Sequence, residues 1–593
     1  MRSLSTEKKI DLHLLKELYG FVKPYKLRFF GLVFLMILGA ITAPILPLVV
    51  QRTIDGPIVN GDSAGLLRDI LLMGGILVLN SLLVFFSTYE SGWVSQKIIH
   101  DIRLKVYRKT LNLKLKYYDN TPIGRLVTRT ISDVETLSEV FSSGLAALAG
   151  DLLQLIVILG MLLFLNWKLT IASVAAIPLL IISTYIFKEL VKKSFGEVRT
   201  HVANLNAFLQ ERITGMNLIQ IFDVKDQQFK KFEALNRNHK KAQIKNVLYY
   251  SVYFPVADLI SAISIGLIVW YGARGVIAEE ISFGMITAFI MYSNQFFRPI
   301  RMIADRINTI QMGMVSIERI MEILDNEDNV ERTGGNEHTI HGQLKFDQVW
   351  FAYNEPDWIL RGISFELQKG QSLAFVGPTG AGKTSTINLL TNFYDYQKGY
   401  IYVDGVDIRT LSLENLRKQV GVVLQDVFLF RGSILDNLRL GDPSISREAV
   451  IAAAREVGIH DFIQKLPNQY DYEVMERGST LSMGQRQLIS FVRVLVHNPH
   501  ILVLDEATSS IDSESEELIQ NAISKIMKNR TSIIIAHRLS TVQNVDKIIV
   551  LEKGEIREEG NHESLMAQKG IYANLVEVQF TQNEQKVLTP TAR

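Results

Sequence analysis

The chain has 593 residues and a mass of 67.1 kDa, and it is 48% apolar and 21% charged with a mean hydropathy of +0.15. This length excludes a small single-core module, the positive hydropathy indicates membrane segments joined to a soluble part, and the absence of cysteine excludes disulfides and thiolate metal sites. The 63 basic residues nearly balance the 61 acidic ones, and a net charge of +2 gives no bulk attraction to nucleic acid, so no nucleic-acid partner is expected.

The first part of the chain, residues 1–325, is dominated by long apolar runs, most of them near the ~20 residues that cross a bilayer. The six runs are 27–50, 70–87, 145–165, 169–187, 252–271 and 283–297. They predict an all-α transmembrane domain with six spans; large buried helices of a soluble core are the alternative. Residues 11–23 are amphipathic and predict an interfacial elbow helix, a solvated leader being its alternative.

The loops between these runs differ strongly in charge. The long loops 91–140 and 188–248 hold nine and twelve Lys or Arg residues, whereas each short loop between the other runs holds one. Because basic loops stay on the cytoplasmic side, we expect both long loops and both termini to be cytoplasmic.

The second part of the chain has the composition of a soluble α/β domain. A polar linker is expected at 326–341, the domain at 342–577 and a C-terminal tail at 578–593. Short apolar runs rich in β-branched residues predict parallel strands at 371–376, 420–424, 501–504, 532–536 and 547–551.

The strongest motif fits the phosphate-loop pattern G-x-x-x-x-G-K-[ST] between a predicted strand and a predicted helix, 385–391. It consists of Gly377, Pro378, Thr379, Gly380, Ala381, Gly382, Lys383 and Thr384, with Ser385 following. The glycines let backbone N–H groups surround phosphate oxygens, Lys383 supplies a positive charge, and the Thr384 hydroxyl suits Mg²⁺. A glycine-rich turn without a ligand is the alternative, which the strand-before, helix-after context disfavours.

Two further motifs lie downstream. Asp505 and Glu506 follow a buried strand, where a carboxylate can reach Mg²⁺ and a second can polarise the attacking water. Residues 481–485 precede the apolar helical stretch 488–496, so they form either an ordinary helix cap or a second anion site that serves a nucleotide held by another subunit. The members expected at that second site are Ser482, Met483, Gly484 and Gln485.

Together these motifs, in this order after six apolar runs, resemble a half-size ATP-binding cassette (ABC) exporter of the bacterial multidrug or lipid type. The resemblance covers nearly the whole chain and implies a six-helix transmembrane domain followed by an α/β P-loop nucleotide-binding domain, in a multi-pass protein of the bacterial inner membrane. It implies ATP and Mg²⁺ as cofactors, with Lys383, Glu506 and His537 as catalytic residues.

The resemblance also assigns further residues by their place in the family's motif order. Tyr353 is expected to stack on adenine, Gln425 to sense Mg²⁺ beside Thr384 and Asp505, and Asp512 to stand in the D-loop. On the membrane side, the stretches 117–133 and 211–222 resemble the two coupling regions that press on nucleotide-binding domains, often the partner's; ordinary solvated helix is the alternative.

One residue departs from the family pattern. Met483 stands where the signature motif usually has glycine, while Glu506 and His537 occupy their expected places. Asymmetric exporters often divide such changes between two subunits, which favours a heterodimer slightly over a homodimer.

The expected function is ATP-driven export of hydrophobic or amphipathic drugs or lipids by an alternating-access dimer. An ATP-gated channel on the same scaffold is the alternative, and a soluble cassette ATPase is disfavoured by the six spans. Asp151 and Asp258 lie in or near apolar runs, where they either contact cargo or face water at a span end.

Overall fold

The computed structural model of the chain describes residues 20–330, 338–505, 513–536 and 539–578. It divides into two compact units, one formed by Met1–Leu111 with Pro122–Asn326 and the other by Asn112–Thr121 with Glu327–Arg593. Most of the predicted elbow helix, part of the predicted linker and nearly all of the predicted tail lie outside the described residues.

From residue 20 to residue 325, the first part of the chain is helical apart from short turns. Its helices, within the described residues, are α1 Gly20–Ile58, α2 Ser63–Leu111, α3 Leu115–Asn120, α4 Ile123–Leu165, α5 Trp167–Thr214, α6 Met216–Ile221, α7 Lys225–Ile277 and α8 Phe283–Leu324. The short helix α3 belongs to the second unit, although the chain reaches it from α2 and leaves it for α4.

Five helices of the described residues, α1, α2, α4, α5 and α7, are long and apolar enough to cross a membrane. They contain the first five predicted runs and extend well past them, because the polar sequence between the runs has few helix breakers. The sixth run lies in α8, whose polar residues lower its mean hydropathy below that of the five candidate spans. Its side chains Phe289, Tyr292 and Phe297 are almost fully buried against neighbouring helices. Because α8 is not among the five candidate spans, the sixth span stays a prediction.

Polar side chains join the helices of the first unit at a few buried points. The hydroxyl of Tyr292 donates to the carbonyl oxygen of Pro44 at 2.6 Å, where proline interrupts α1. The Ser264 hydroxyl donates to the carbonyl oxygen of Ser173 at 2.6 Å and so joins α7 to α5. Such bonds satisfy backbone groups that have no water to bind in an apolar interior.

The turns at one end of these helices are fixed by caps. Asn166 accepts a hydrogen bond from the backbone N–H of Leu169 and starts α5. Ser282 accepts one from the N–H of Met285 and starts α8, and its hydroxyl donates to Asp55 at 2.5 Å. Side-chain oxygens at these positions satisfy N–H groups that the first helical turn leaves free.

The second unit is an α/β domain. Its described strands are β1 Leu344–Phe351, β2 Leu360–Leu367, β3 Ser372–Val376, β4 Lys398–Val403, β5 Val406–Asp407, β6 Val420–Val423, β7 Gly432–Ser433, β8 Glu473–Val474, β9 Ile501–Asp505, β10 Thr531–Ile535, β11 Lys547–Glu552 and β12 Glu555–Gly560. Its helices include α9 Lys383–Leu390, α10 Leu413–Gln419, α11 Ile434–Arg439, α12 Arg447–Val457, α13 His460–Lys465, α14 Met483–His497, α15 Ser513–Met527, α16 Leu539–Val542 and α17 His562–Gln568, and residues 571–578 are also helical.

The strands form one large and one small sheet beside a short β7–β8 pair. The large sheet has the order β12-β11-β3-β10-β9-β6, and all of its pairs are parallel except β11–β12. The small sheet, β2-β1-β4-β5, is antiparallel. The five predicted strands are β3, β6, β9, β10 and β11, each within one residue at either end, and the predicted fold class is confirmed.

Strands β3, β9 and β10 are buried on both faces, as their continuous apolar sequences require. The large sheet packs against two hydrophobic clusters. Helices α11, α12, α14 and α15 contribute to one of them, and the small sheet contributes to the other together with α9 and α10. Because these strands run parallel, their carboxyl ends meet at one edge, which is where ligands bind in open α/β sheets.

Candidate functional site

The phosphate loop runs from the end of β3 to the start of α9, and its backbone has the shape that glycine permits. Gly377 has φ 146° and Gly382 has φ 104°, both in the left-handed region. A Cβ on Gly377 would collide with the carbonyl oxygen of Leu551, and one on Gly382 would lie 2.6 Å from the side chain of Leu360. The loop is therefore held closely against its neighbours, and its exposed face, formed by residues 378–380, is left for a ligand.

Lys383 lies inside this loop. Its ammonium donates to the carbonyl oxygens of Gly377 at 2.7 Å and Pro378 at 3.0 Å, and the residue is 8% exposed. Burial lowers the pKa of Lys383, while the charge of Asp505 acts in the opposite direction. A buried cation that donates to carbonyl oxygens gains from an anion in the loop, which fits a nucleotide phosphate.

Tyr353 lies next to the first turns of α9. Its hydroxyl is 3.2 Å from the hydroxyl of Ser385 and accepts a hydrogen bond from the Asn388 side chain at 3.2 Å. Its half-buried ring meets Phe351 and Tyr394 edge-on, with centroids 4.8 and 4.9 Å apart. These contacts fix an aromatic ring beside the phosphate loop; the role of Asn388 was not predicted.

Three polar residues expected to serve Mg²⁺ stand at or near the carboxyl edge of the large sheet. Asp505 ends β9, exposed Gln425 lies two residues after β6, and exposed Thr384 is in the first turn of α9 after β3. Strand β6 pairs directly with β9, which aligns Val423 with Leu504 just before these side chains. One carboxylate with hydroxyl and amide oxygens fits Mg²⁺, which completes its shell with phosphates and water.

The signature-like residues begin α14. The Ser482 hydroxyl accepts from the backbone N–H of Gln485 at 3.2 Å, and the Gln485 side chain accepts from the N–H of Ser482 at 2.9 Å. Met483 is the first helical residue and Gly484 is buried. The structure therefore has the ordinary helix cap, which was one of the two alternatives for these residues. The Ser482 hydroxyl is exposed and uses only its oxygen in the cap, so its proton can still be donated to an anion.

Glu506, Asp512 and His537, which the sequence assigns to hydrolysis and the D-loop, lie outside the described residues. The strands that lead to two of them are described. Ile535, two residues before His537, aligns with Asp505 in the β9–β10 pair.

The segment Asn112–Thr121 includes the first residues, 117–121, of the stretch that resembles the first coupling region. It contacts the α/β domain through Tyr394 and Asp395, which sequence reasoning missed. The Tyr394 hydroxyl donates to the carboxylate of Asp119, and the ammonium of Lys114 lies 2.7 Å from the carboxylate of Asp395. A backbone bridge between Leu113 and Asn329 adds a third contact. Tyr394 also packs edge-on against Tyr353, so its side chain connects this segment to the ring that is predicted to stack on adenine.

The rest of the first coupling region belongs to the first unit. Buried Arg129 pairs with Glu322 of α8 at 2.6 Å, and buried Asp133 accepts from Arg319 at 3.3 Å. These pairs join α4 to α8.

The second coupling region ends in α6, which exposes apolar side chains. Leu218 is 61%, Ile221 74% and Phe222 71% exposed. Within the helices, Asp151 lies 3.7 Å from Arg306, and Asp258 is exposed on α7.

Comparison with known proteins agrees with this organisation. The ABC transporter transmembrane region family matches residues 29–300, and the ABC transporter family matches residues 360–509. The structure of a bacterial Atm1-family ABC exporter with ATP bound superposes with a TM-score of 0.77, covering 96% of this chain and 99% of that one at 26% identity.

Curated relatives are similar over nearly their full length. A Bacillus subtilis protein, the uncharacterized ABC transporter ATP-binding protein YknV, is 37% identical over 95% of this chain and 94% of its own. A Staphylococcus aureus protein named putative multidrug export ATP-binding/permease protein is 34% identical over 95% of this chain and all of its own. Half-size exporters of this kind hydrolyse ATP and function as dimers. The chain belongs to the ABC transporter family and is a half-size exporter.

Proposed function

We propose that this exporter moves hydrophobic or amphipathic compounds, drugs or lipids, out across the bacterial inner membrane as an alternating-access dimer. One observation carries the proposal: long apolar helices and a nucleotide site lie on one chain that matches a putative multidrug exporter over the full length of that relative. The basic loops support an orientation with the nucleotide domain and both termini in the cytoplasm.

ATP is bound by the phosphate loop, with its phosphates on the loop N–H groups and Lys383, and its adenine on Tyr353. Thr384, Asp505 and Gln425 would hold Mg²⁺, which neutralises charge on the phosphates. Glu506 accepts the proton of the attacking water, and His537 with Lys383 stabilises the charge that develops on the γ-phosphate. The burial of Lys383 and its hydrogen bonds to the carbonyl oxygens of Gly377 and Pro378 support its role in this site.

Each nucleotide is completed by the partner subunit, through residues equivalent to Ser482–Gln485 and Asp512. The exposed hydroxyl of Ser482 at the start of α14 supports this arrangement. Half-buried Met483 adds a side chain where glycine would leave room, so the composite site that it completes is the weaker one. A heterodimer in which the second subunit carries the intact signature is therefore slightly favoured over a homodimer.

Transport is driven by movement of the coupling regions with the nucleotide domains. The contacts of Asn112–Thr121 with Tyr394 and Asp395 support coupling to the domain of the same chain. The exposed apolar tip of α6 supports docking on the partner's domain, which would bury Ile221 and Phe222.

One ion pair between the helices bears on the class of cargo. The pairing of Asp151 with Arg306 leaves that carboxylate partly neutralised, which favours amphiphiles over strongly cationic compounds at this position.

The proposal is tested by purifying the chain alone and with candidate partner subunits, and by measuring ATPase activity in lipid bilayers during a screen of amphiphiles. We expect one assembly to be dimeric and its ATPase to be stimulated by a subset of amphiphiles. An active dimer that responds to none, and whose vesicles transport none, contradicts the proposed cargo class.

A further inference from the structure

A cavity of about 380 Å³ lies between two short turns of the first unit, the α4–α5 turn and the α7–α8 turn. Both turns follow long apolar helices. Three charged residues line the cavity: Lys168 at the start of α5, Arg274 in the last turn of α7 and Glu280 on the α7–α8 turn, whereas the neighbouring Glu279 is not among the lining residues. The cavity is of a size that binds small polar groups and short lipid segments.

The two cations are available to a ligand. Lys168 and Arg274 are exposed, and no carboxylate within the described parts of the chain forms an ion pair with either of them. The guanidinium of Arg274 lies over the ring of Trp270 at 4.7 Å from its centroid, which orients it without neutralising it. With Glu280 included, the cavity carries a formal charge of +1, which complements an anion with one negative charge.

Two tryptophans place the cavity at the depth of lipid headgroups. Trp167 lines the cavity and is 60% exposed, and Trp270, one helical turn before Arg274, is 58% exposed. Exposed tryptophans at the ends of apolar helices are typical of the membrane–water interface, because the ring is amphipathic. The cations therefore lie where a phosphate group of the bilayer is found.

We propose that this cavity is a binding site for an anionic glycerophospholipid of the outer leaflet, of the phosphatidylglycerol class. Lys168 and Arg274 bind the phosphodiester, Trp167 and Trp270 border the glycerol and upper acyl chain, and Glu280 faces the hydroxyls of the headgroup. The outer-leaflet assignment rests on the proposed orientation of the exporter, whereas the preference for an anionic headgroup rests on the cavity alone. A lipid held here contacts both turns and so joins the α4–α5 pair to the α7–α8 pair.

The test uses tryptophan fluorescence of the full-length dimer in nanodiscs. Replacing Trp93, Trp350 and Trp358 by Phe leaves Trp167 and Trp270 as the reporters, and retained ATPase activity shows that this background is folded. Phosphatidylglycerol, phosphatidylethanolamine or phosphatidylcholine, each with a bromine near the top of the acyl chain, is then titrated into unlabelled phosphatidylcholine. We expect brominated phosphatidylglycerol to quench fluorescence at the lowest fraction of the three.

The variant Lys168→Gln/Arg274→Gln should remove that preference. At about fivefold in affinity for each cation near a membrane surface, the loss of both lowers the apparent affinity for phosphatidylglycerol about 25-fold. Arg52→Gln is the matched control, because Arg52 lies near the end of α1, outside the cavity, and pairs with Asp69, which keeps its closer contact with Arg68. We expect the control to retain the preference.

The proposal is overturned if the three lipids quench equally. It is also overturned if the double variant keeps the preference for phosphatidylglycerol and has a normal thermal unfolding curve. Stronger quenching by phosphatidylethanolamine overturns the assigned headgroup class. The readout needs neither ATP nor cargo, so the failure of export and the failure of this site are separate results.

Discussion

Replacing Tyr394 by Phe removes one hydroxyl from the contact between the first coupling region and the α/β domain. That hydroxyl donates to the carboxylate of Asp119, while the ring packs on Tyr353 and Phe351. Burial, and then the neighbouring carboxylate, raise the pKa of Tyr394, so the hydroxyl stays protonated and able to donate throughout the physiological range. Phe keeps the ring and its packing, and the substitution therefore isolates the hydrogen bond.

The expected effect is about tenfold on docking of the segment Asn112–Thr121. A hydrogen bond to a charged acceptor contributes about 1.5–3 kcal/mol, and the lower end applies here because Asp119 is exposed. About 1.5 kcal/mol corresponds to roughly tenfold in an equilibrium constant. The half-exposed pair of Lys114 with Asp395 adds at most about 1 kcal/mol and cannot replace it.

Docking is measured by disulfide formation, since the natural chain has no cysteine. Leu113→Cys with Asn329→Cys places one thiol on each side of the backbone bridge. Adding Tyr394→Phe to this pair should slow cross-linking about tenfold. Without the cysteines, Tyr394→Phe should lower the amount of cargo transported for each ATP hydrolysed, while the Kd for ATP stays within about threefold because the ring beside Tyr353 remains.

Tyr396→Phe is the matched control. Tyr396 is equally buried, two residues away, and its hydroxyl bonds to the carboxylate of Asp407 at 3.2 Å, within the domain itself. We expect it to leave cross-linking and transport per ATP unchanged. If Tyr394→Phe and Tyr396→Phe have equal effects, or if Tyr394→Phe changes neither readout, the proposed contact does not couple the two parts.

Three further substitutions test the ATP site and the dimer. Glu506→Gln should abolish ATP turnover but preserve ATP binding by equilibrium dialysis; normal ATPase with a catalytically silent partner refutes its role. Gly377→Ala should weaken ATP binding and lower Tm more than Gly380→Ala, because a Cβ at Gly377 collides with backbone whereas the one at Gly380 meets open space; equal losses contradict the close packing of the loop. Phe222→Ser should reduce cargo-stimulated ATPase severalfold at unchanged basal ATP binding, because it weakens the apolar tip of α6; full stimulation argues against docking on the partner.

The large sheet was predictable because its strands are short, β-branched and bounded by turns. Runs such as 501–504 must be buried on both faces, and this places their carboxyl ends together. The phosphate loop was predictable for a related reason, since glycines at fixed spacing are needed where the backbone has positive φ. The placement of Lys383, Thr384 and Asp505 near one edge follows from these two patterns.

Contacts between distant parts of the chain could not be predicted. Asp119 lies in a stretch that resembles a coupling region, which implies contact with a nucleotide-binding domain. Tyr394 is 275 residues away and belongs to no motif, so nothing in the sequence indicated it as the partner of Asp119. The burial of Arg129 and Asp133 against α8 was missed for the same reason, because a helix with mixed polarity does not reveal which face is covered. The alternatives for Ser482 could not be separated either, since one hydroxyl can both cap a helix and donate to an anion.

The most direct measurement of the central claim is cargo movement against its gradient in vesicles that contain the purified dimer and are supplied with MgATP. We expect an amphiphile identified by ATPase stimulation to accumulate above its external concentration, and Glu506→Gln to abolish that accumulation. Movement that only dissipates a gradient when ATP binds, and that persists in Glu506→Gln, would show an ATP-gated channel and contradict the exporter.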